Sequence, residues 1–291
     1  MKKAYVLLFI VIILFSCTKN NKNNDFRNLS MEEKTFIQSQ INFMDKIIEM
    51  YNEIKYIHIS LEELYPITII HNNNFFVFDL DDNGNKYELK LKMELPEFMS
   101  GDFSYLLAAF PLDFYEMKAS VVISNNILEN PDNHIAIFHE FVHCFQWHNG
   151  ELDIRRELLV EKQECEKNNF NWELDYPFPY NSEYFINKTI ELSNSITYEN
   201  MLQYHMDMKK YLQETEFEYM IWQEWKEGFA RYVENLIRIK LEMEINTNEL
   251  NPPFNRVHFY EIGSKYIKLF VNNENELGNN IKELFYRMKI N

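Results

Sequence analysis

Apolar residues recur at helical spacing from Met31 onward, at Phe36, Ile37, Ile41, Met44, Ile47 and Ile48, and predict a helix over 31–54. Ser30, three residues before Glu33, reads as a capping box in which each side chain accepts from the other's backbone N–H. From Tyr65 to Leu95 the texture changes to short β-rich runs, "YPITII", "FFVFDL" and "KYELKLKMEL". "KASVVISNN", 118–126, predicts a further strand, and the apolar "HIAIFHEFVHCFQWH" a helix over roughly 133–148. A charged helix, "ELDIRRELLVEKQECEK", follows, then a loop, "NNFNWELDYPFPYNS", whose prolines forbid regular helix. A helical stretch over about 183–246 ends before Pro252 and Pro253, and two helical segments fill 255–290. Sheet first and helices afterwards imply an α+β fold, without an internal repeat.

The first residues do not belong to that pattern. "MKKAYVLLFIVIILFSC" places two lysines before an apolar run too short to span a bilayer with margin, the order of a secretory leader. Its end, "LFSC", resembles the lipobox of bacterial lipoproteins. That resemblance implies a signal peptide over 1–16, cleavage before Cys17, lipidation of its thiol, and an anchor in the membrane of the bacterial cell envelope, outside the cytoplasm. An uncleaved signal anchor is the alternative. The polar "TKNNKNN" lies in a flexible tether over 17–29, and a single domain is expected over 30–291. Within that domain, 30–150 would hold the first helix, the sheet and the motif helix, and 151–291 a helical half.

Composition narrows the partners. Asp and Glu number 45 against 29 Lys and Arg, a formal charge of −16, and loss of Lys2 and Lys3 with the leader makes the balance more negative. Such a surface excludes a nucleic-acid partner and disfavours anionic lipid faces. With Cys17 lipidated, Cys144 and Cys165 remain, and both are expected to be buried, inert thiols in preference to a disulfide. Cys144 directly follows His143, but a neighbouring residue points about 100° away around a helix.

The candidate chemistry lies in residues 139–143, H-E-F-V-H. On a helix, His139 and His143 fall about 40° apart on one face and about 6 Å apart along the axis, so both imidazoles can reach one ion. Glu140 falls about 100° from His139 and about 60° from His143, where it can lean over the ion without ligating it, as a base requires. The bland alternative is a pair of core histidines. His134 and His148 turn away from this face and are expected in core or surface roles, and His58, His71 and His205 show no partner pattern. "DLDDNGNK" begins like a calcium-binding EF-hand loop at Asp79, Asp81, Asn83 and Gly84. The bidentate Glu would fall on Lys90, so a hairpin turn is expected instead.

Residues 222–234 read "WQEWKEGFARYVE". "HEFVH" followed some 80 to 90 residues later by "EGFARY" resembles the gluzincin metallopeptidases, in which a second helix supplies a glutamate ligand in an E-G-x-A-x-Y setting. The likeness is confined to these short motifs, their order and the strand before the first. It implies a zincin-like fold, with a small, mainly antiparallel sheet packed on the motif helix. It also implies one zinc ion held by His139, His143 and Glu227, with Glu140 as general base and a peptide or protein as substrate. Glu224, one turn earlier, is the rival third ligand. Gly228 and Ala230 are small enough to let two helices approach around an ion. Arg231, at i+4 from Glu227, is placed to hold its carboxylate or that of Glu224. Tyr232 reads mainly as packing. In "RVHFYEIGSKY", 256–266, His258 and Tyr260 are candidates for stabilising an oxyanion, with Tyr260 preferred. "SVVIS" could pair with an extended substrate if it lies at the sheet edge, or be an ordinary central strand. Two further readings stay open: a non-catalytic zinc-binding lipoprotein of the envelope, and an interaction module whose histidines are core residues. Oligomeric state is not written in the sequence.

Overall fold

The structure, a computed structural model, describes residues 29–96, 105–130 and 133–290. The leader, Cys17 and all but the last tether residue lie outside the described residues. The chain forms two compact units, one ending at Cys144 and the other beginning at Phe145.

The first unit opens with α1, Met31–Ile54. Both capping-box bonds are made: Glu33 N donates to Ser30 Oγ at 3.1 Å, and Ser30 N to Glu33 Oε2 at 2.8 Å. Five strands follow, β1 (Ile67–His71), β2 (Asn74–Leu80), β3 (Tyr87–Glu94), β4 (Leu107–Leu112) and β5 (Lys118–Ser124). They form one sheet in the order β3-β2-β1-β5-β4. Pairs β1–β2, β2–β3 and β4–β5 are antiparallel, whereas β1–β5 is parallel, so the sheet is mixed. Asn72 and Asn73 join β1 to β2 with φ of 47° and 57°. Two left-handed residues match the twist of a hairpin, and asparagine tolerates that conformation.

Alternation along the strands buries both faces of the sheet. Ile67, Ile69, Phe76, Phe78, Val121 and Ile123 share one face and are fully buried. On that face Phe36 of α1 stacks on His71, centroids 4.0 Å apart, and meets Phe76 edge-on. Ile70, Phe75, Val77, Ala108, Leu112 and Val122 form the other core, with Leu91, Met93 and Phe110 packed against it.

β4 is absent from the sequence-based expectation. Its "LAAFPL" contains proline and two alanines, weak strand formers. An edge strand tolerates proline because one row of its N–H groups needs no sheet partner, and β4 is at the edge. β5 is consequently interior, between β1 and β4, so "SVVIS" is not available to pair with a substrate. "DLDDNGNK" is the β2–β3 connection: Asp81 N donates to Lys86 O at 2.9 Å. The Asp79 carboxylate accepts from Tyr115 Oη at 2.9 Å and Lys118 Nζ at 3.1 Å. It is thereby committed to β5 and its approach, away from a loop cation.

α2, His134–Gln146, buries Ile135, Ile137, Phe138, Phe141 and Val142. Phe141 reaches Tyr65, just ahead of β1, at a centroid distance of 5.9 Å. Cys144 is buried as expected, but Cys165 is partly exposed.

In the second unit the chain runs through a π-helical turn, Trp147–Glu151, which bends at Gly150 with φ of 149°. The charged segment expected as one helix is two, α3 (Leu152–Glu157) and α4 (Leu159–Glu166), broken at an extended Leu158. The first peptide groups of α4 donate to Glu218: Leu159 N at 2.7 Å and Val160 N at 3.0 Å. A distant carboxylate thus supplies the cap that Leu158 cannot. The expected loop contains a short helix, α5 (Trp172–Asp175). α6 (Glu183–Asn194), α7 (Tyr198–Tyr211) and α8 (Glu214–Lys240) follow, then α9 (Val257–Asn273) and α10 (Ile281–Met288).

α8 is the spine of this unit and is buried along most of its 27 residues. α9 lies against it through a glycine pair. A Cβ on Gly228 would stand 2.7 Å from the Gly263 backbone, and one on Gly263 would stand 2.1 Å from Glu224 O. Gly228, expected to admit a helix around an ion, therefore makes room for α9.

Candidate metal centre

α2 carries the two imidazoles one turn apart. His139 is partly buried and His143 buried, with ring centroids 5.0 Å apart and planes at 76°. Glu140 is 2% exposed, so its carboxylate is held within the protein beside them in sequence. His134 is also buried, its Nε2 3.3 Å from Leu128 O. Burial pushes this imidazole down, which favours its neutral form. His148 is exposed. The core and surface roles expected for these two are those found.

Glu227 sits at the middle of α8, buried. Just before it, the amide of Gln146, the last residue of α2, donates to Lys226 O at 3.1 Å and to Trp225 O at 3.4 Å. Gln146 was not singled out in the sequence, although its position at i+3 from His143 placed it on the same helix face.

His139, His143 and Glu227 each offer one ligand atom, and these atoms lie within 4.8 Å of one another. Among the described residues no other group of three His, Cys, Asp or Glu side chains does so. Donors about 2.0–2.1 Å from a tetrahedral zinc ion are spaced roughly 3.4 Å apart, so the three atoms are near the required spread. Two imidazoles and a carboxylate are a donor set suited to zinc, and the residues present fit such an ion.

The rival ligand is engaged elsewhere. Glu224 Oε2 lies 2.6 Å from His205 Nε2, and both side chains are fully buried. His205 Nδ1 is 2.8 Å from Met201 O, and a carbonyl only accepts, so Nδ1 carries a proton. Tyr266 stacks on the ring at 4.4 Å. His205, for which no partner was expected, thus belongs to a buried acid–imidazole pair one turn before Glu227.

Arg231 does not take up Glu224. Its Nε is 3.6 Å from Glu234, and its Nη1 donates to Asn246 O at 3.4 Å. Its guanidinium also lies 6.0 Å from the centre of the Tyr260 ring. Tyr260 is buried in the first turn of α9. His258, the other candidate there, accepts from Asn255 N through Nδ1 at 3.0 Å and so helps start α9.

Compared with known proteins, the chain matches no family model, no curated protein and no solved structure.

The turn of α8 that bears Glu227 is anchored by a buried charge network that was not legible as such in the sequence. Lys226 Nζ donates to Glu151 at 2.8 Å and to Glu173 at 3.1 Å. Arg155 pairs with Glu173 and Glu161, and Trp222 Nε1 donates to Glu173 at 3.1 Å. Burial alone would raise the Glu173 carboxyl, but the ammonium of Lys226 and the guanidinium of Arg155 outweigh it and hold it at about 2. At Glu161 burial outweighs Arg155, and that carboxyl is pushed up.

A pH dependence follows. The Glu173 carboxyl falls from its ordinary value of 4.5 to about 2 on folding. Its contribution, on the order of 3 kcal/mol, is therefore complete above 4.5 and lost as pH falls toward 2. Glu161 acts in the opposite sense, above 4.5. Denaturation midpoints are expected to drop more steeply between pH 4.5 and 2 for the wild type than for Glu173→Gln, which is weaker near neutral pH. Parallel curves for the two proteins would contradict this assignment.

Proposed function

We propose that the chain is a zinc-dependent peptidase of zincin-like, gluzincin type, tethered to the bacterial cell envelope through a lipidated Cys17. The observation that carries the reading is the proximity of the His139, His143 and Glu227 donor atoms, within 4.8 Å of one another. Zinc held by these residues would polarise a peptide carbonyl and acidify a water molecule. Glu140 is the proton acceptor: it directly follows the first imidazole on the same helix, and its burial shields its carboxylate from bulk water. It would then return the proton to the departing amine. Tyr260 would donate its hydroxyl to the oxygen on which charge develops, an interaction that strengthens as the reaction proceeds. Gln146 fixes the carbonyls preceding Glu227, and so the pitch at which that carboxylate is presented.

The envelope assignment rests on the leader and the lipobox-like "LFSC". No helix among the described residues is long and apolar enough to cross a membrane. The formal charge of −16 leaves nucleic acid an implausible partner.

The test uses the full chain in detergent micelles. One equivalent of zinc is expected per chain, together with cleavage of a quenched peptide library that stops on chelation and resumes with zinc. Glu227→Ala is expected to weaken zinc binding by at least about 100-fold, as loss of one of three protein ligands requires. Glu224→Gln is expected to keep the ion. Zinc held equally well by both variants would refute the ligand set, and cleavage unaffected by chelation would refute the mechanism.

A further inference from the structure

Arg256 is a cation without an acid. It is partly buried at the start of α9, and among the described residues its guanidinium makes no hydrogen bond and has no carboxylate within 4.0 Å. Two buried cations of this unit are met differently: Arg155 pairs with three carboxylates and Lys226 with two. Shortage of acids is not the reason, since the chain has 45 of them against 29 Lys and Arg. None of its guanidinium nitrogens is sealed from solvent, so an acid group of a ligand can reach them.

The position is also unfavourable for a cation by itself. Arg256 is the residue that starts α9, a helix of 17 residues whose N-terminal end carries partial positive charge. An anion arriving there would be drawn by the guanidinium and by the helix end together. The surroundings are phenolic. The guanidinium stands 5.5 Å from the centre of the Tyr260 ring, and Arg231 stands 6.0 Å from that centre. Arg231 is itself weakly compensated, because Glu234 accepts more closely from Arg238 and Asn246, at 2.8 and 2.9 Å. Enclosure works against the charged form of Arg256, and Tyr260, Glu227, Tyr219 and Tyr180 more than offset it. Glu227 is therefore within electrostatic range of this guanidinium without being its ion-pair partner.

We propose that Arg256 receives a carboxylate of the bound peptide, so that the substrates are peptides presenting an acid group to the start of α9. The planar fork of arginine matches the two oxygens of a carboxylate, and Tyr260 supports the guanidinium from its ring face. The carboxylate comes either from the C-terminus or from an acidic side chain. The inference rests on the peptidase reading for the identity of the ligand, and it is tested by binding rather than by turnover.

The full chain carrying Glu140→Gln is titrated, with and without zinc, with a fluorescein-labelled pentapeptide in three forms: free C-terminal acid, C-terminal amide, and amide with one internal glutamate. The free acid or the glutamate peptide is expected to bind about tenfold or more tighter than the neutral amide, the scale of one charge-assisted pair. Arg256→Gln is expected to bring the forms within about twofold, and Arg256→Lys to keep part of the preference. A preference confined to the free acid assigns the C-terminus; one confined to the glutamate peptide assigns a side chain. Equal binding of all forms, absence of binding by any, or a preference that survives Arg256→Gln overturns the proposal. Zinc content is measured on the same samples. A carboxylate preference in protein that takes up no zinc would sink the peptidase reading and leave the Arg256 assignment standing.

Discussion

A Glu140→Gln variant is expected to take up zinc as the wild type does and to cleave peptides about 10²–10⁴-fold more slowly, the usual contribution of a positioned base. Glutamine nearly preserves the volume of the side chain, which matters at a position only 2% exposed. What it removes is the capacity to take a proton. Glu140 is not among the three residues whose donor atoms converge, so metal affinity should be insensitive to the change. The two readouts separate the possibilities. Zinc retained with kcat/KM collapsed fits a base; zinc lost would make Glu140 a structural support of the imidazoles. Unaltered cleavage would remove it from the chemistry.

The second large effect is expected from backbone packing and involves no change of charge. Gly263→Ala should destabilise the protein by about 3 kcal/mol or more, at the upper end of overpacking effects. The added methyl would lie 2.1 Å from Glu224 O and 2.7 Å from the carbonyl carbon and Cα of the same residue. All three are backbone atoms inside a helix, so no side chain can swing aside. Relief requires α9 to move off α8, and the displaced turn of α8 is the one that leads into Glu227. The variant should therefore lose zinc affinity together with thermal stability. Gly228→Ala makes the reciprocal contact, 2.7 Å from Gly263, and is expected to be milder. A Gly263→Ala protein with an unchanged melting temperature would show that this interhelical contact is looser than described.

Features written in adjacent residues were legible in the sequence. The capping box of Ser30 and Glu33, the helix over 31–54 and the facing imidazoles of His139 and His143 follow from local spacing alone. Glu227 was a different kind of reading, reached through likeness to a motif rather than through spacing. What stayed hidden depends on partners distant along the chain. β4 lacked a strand signature because an edge position excuses its proline. Glu151 and Arg155 read as members of a charged helix, and Lys226 carried no reading of its own; only the fold reveals that Arg155 and Lys226 meet Glu151 and Glu173 away from water. His205 and Glu224 have no sequence relation that announces a pair, since they belong to different helices. Gly228 was assigned the right property, smallness, and the wrong neighbour.

The border between the two compact regions falls between Cys144 and Phe145, inside a continuous helix and one residue beyond His143. Anyone dividing this polypeptide into separately expressed pieces at that border would thus sever a helix. The fragment bearing both imidazoles would be left with a frayed end immediately after them. The exposed residues Glu242–Glu244, just after α8, are a more suitable place to open the chain, because a break there interrupts no regular element.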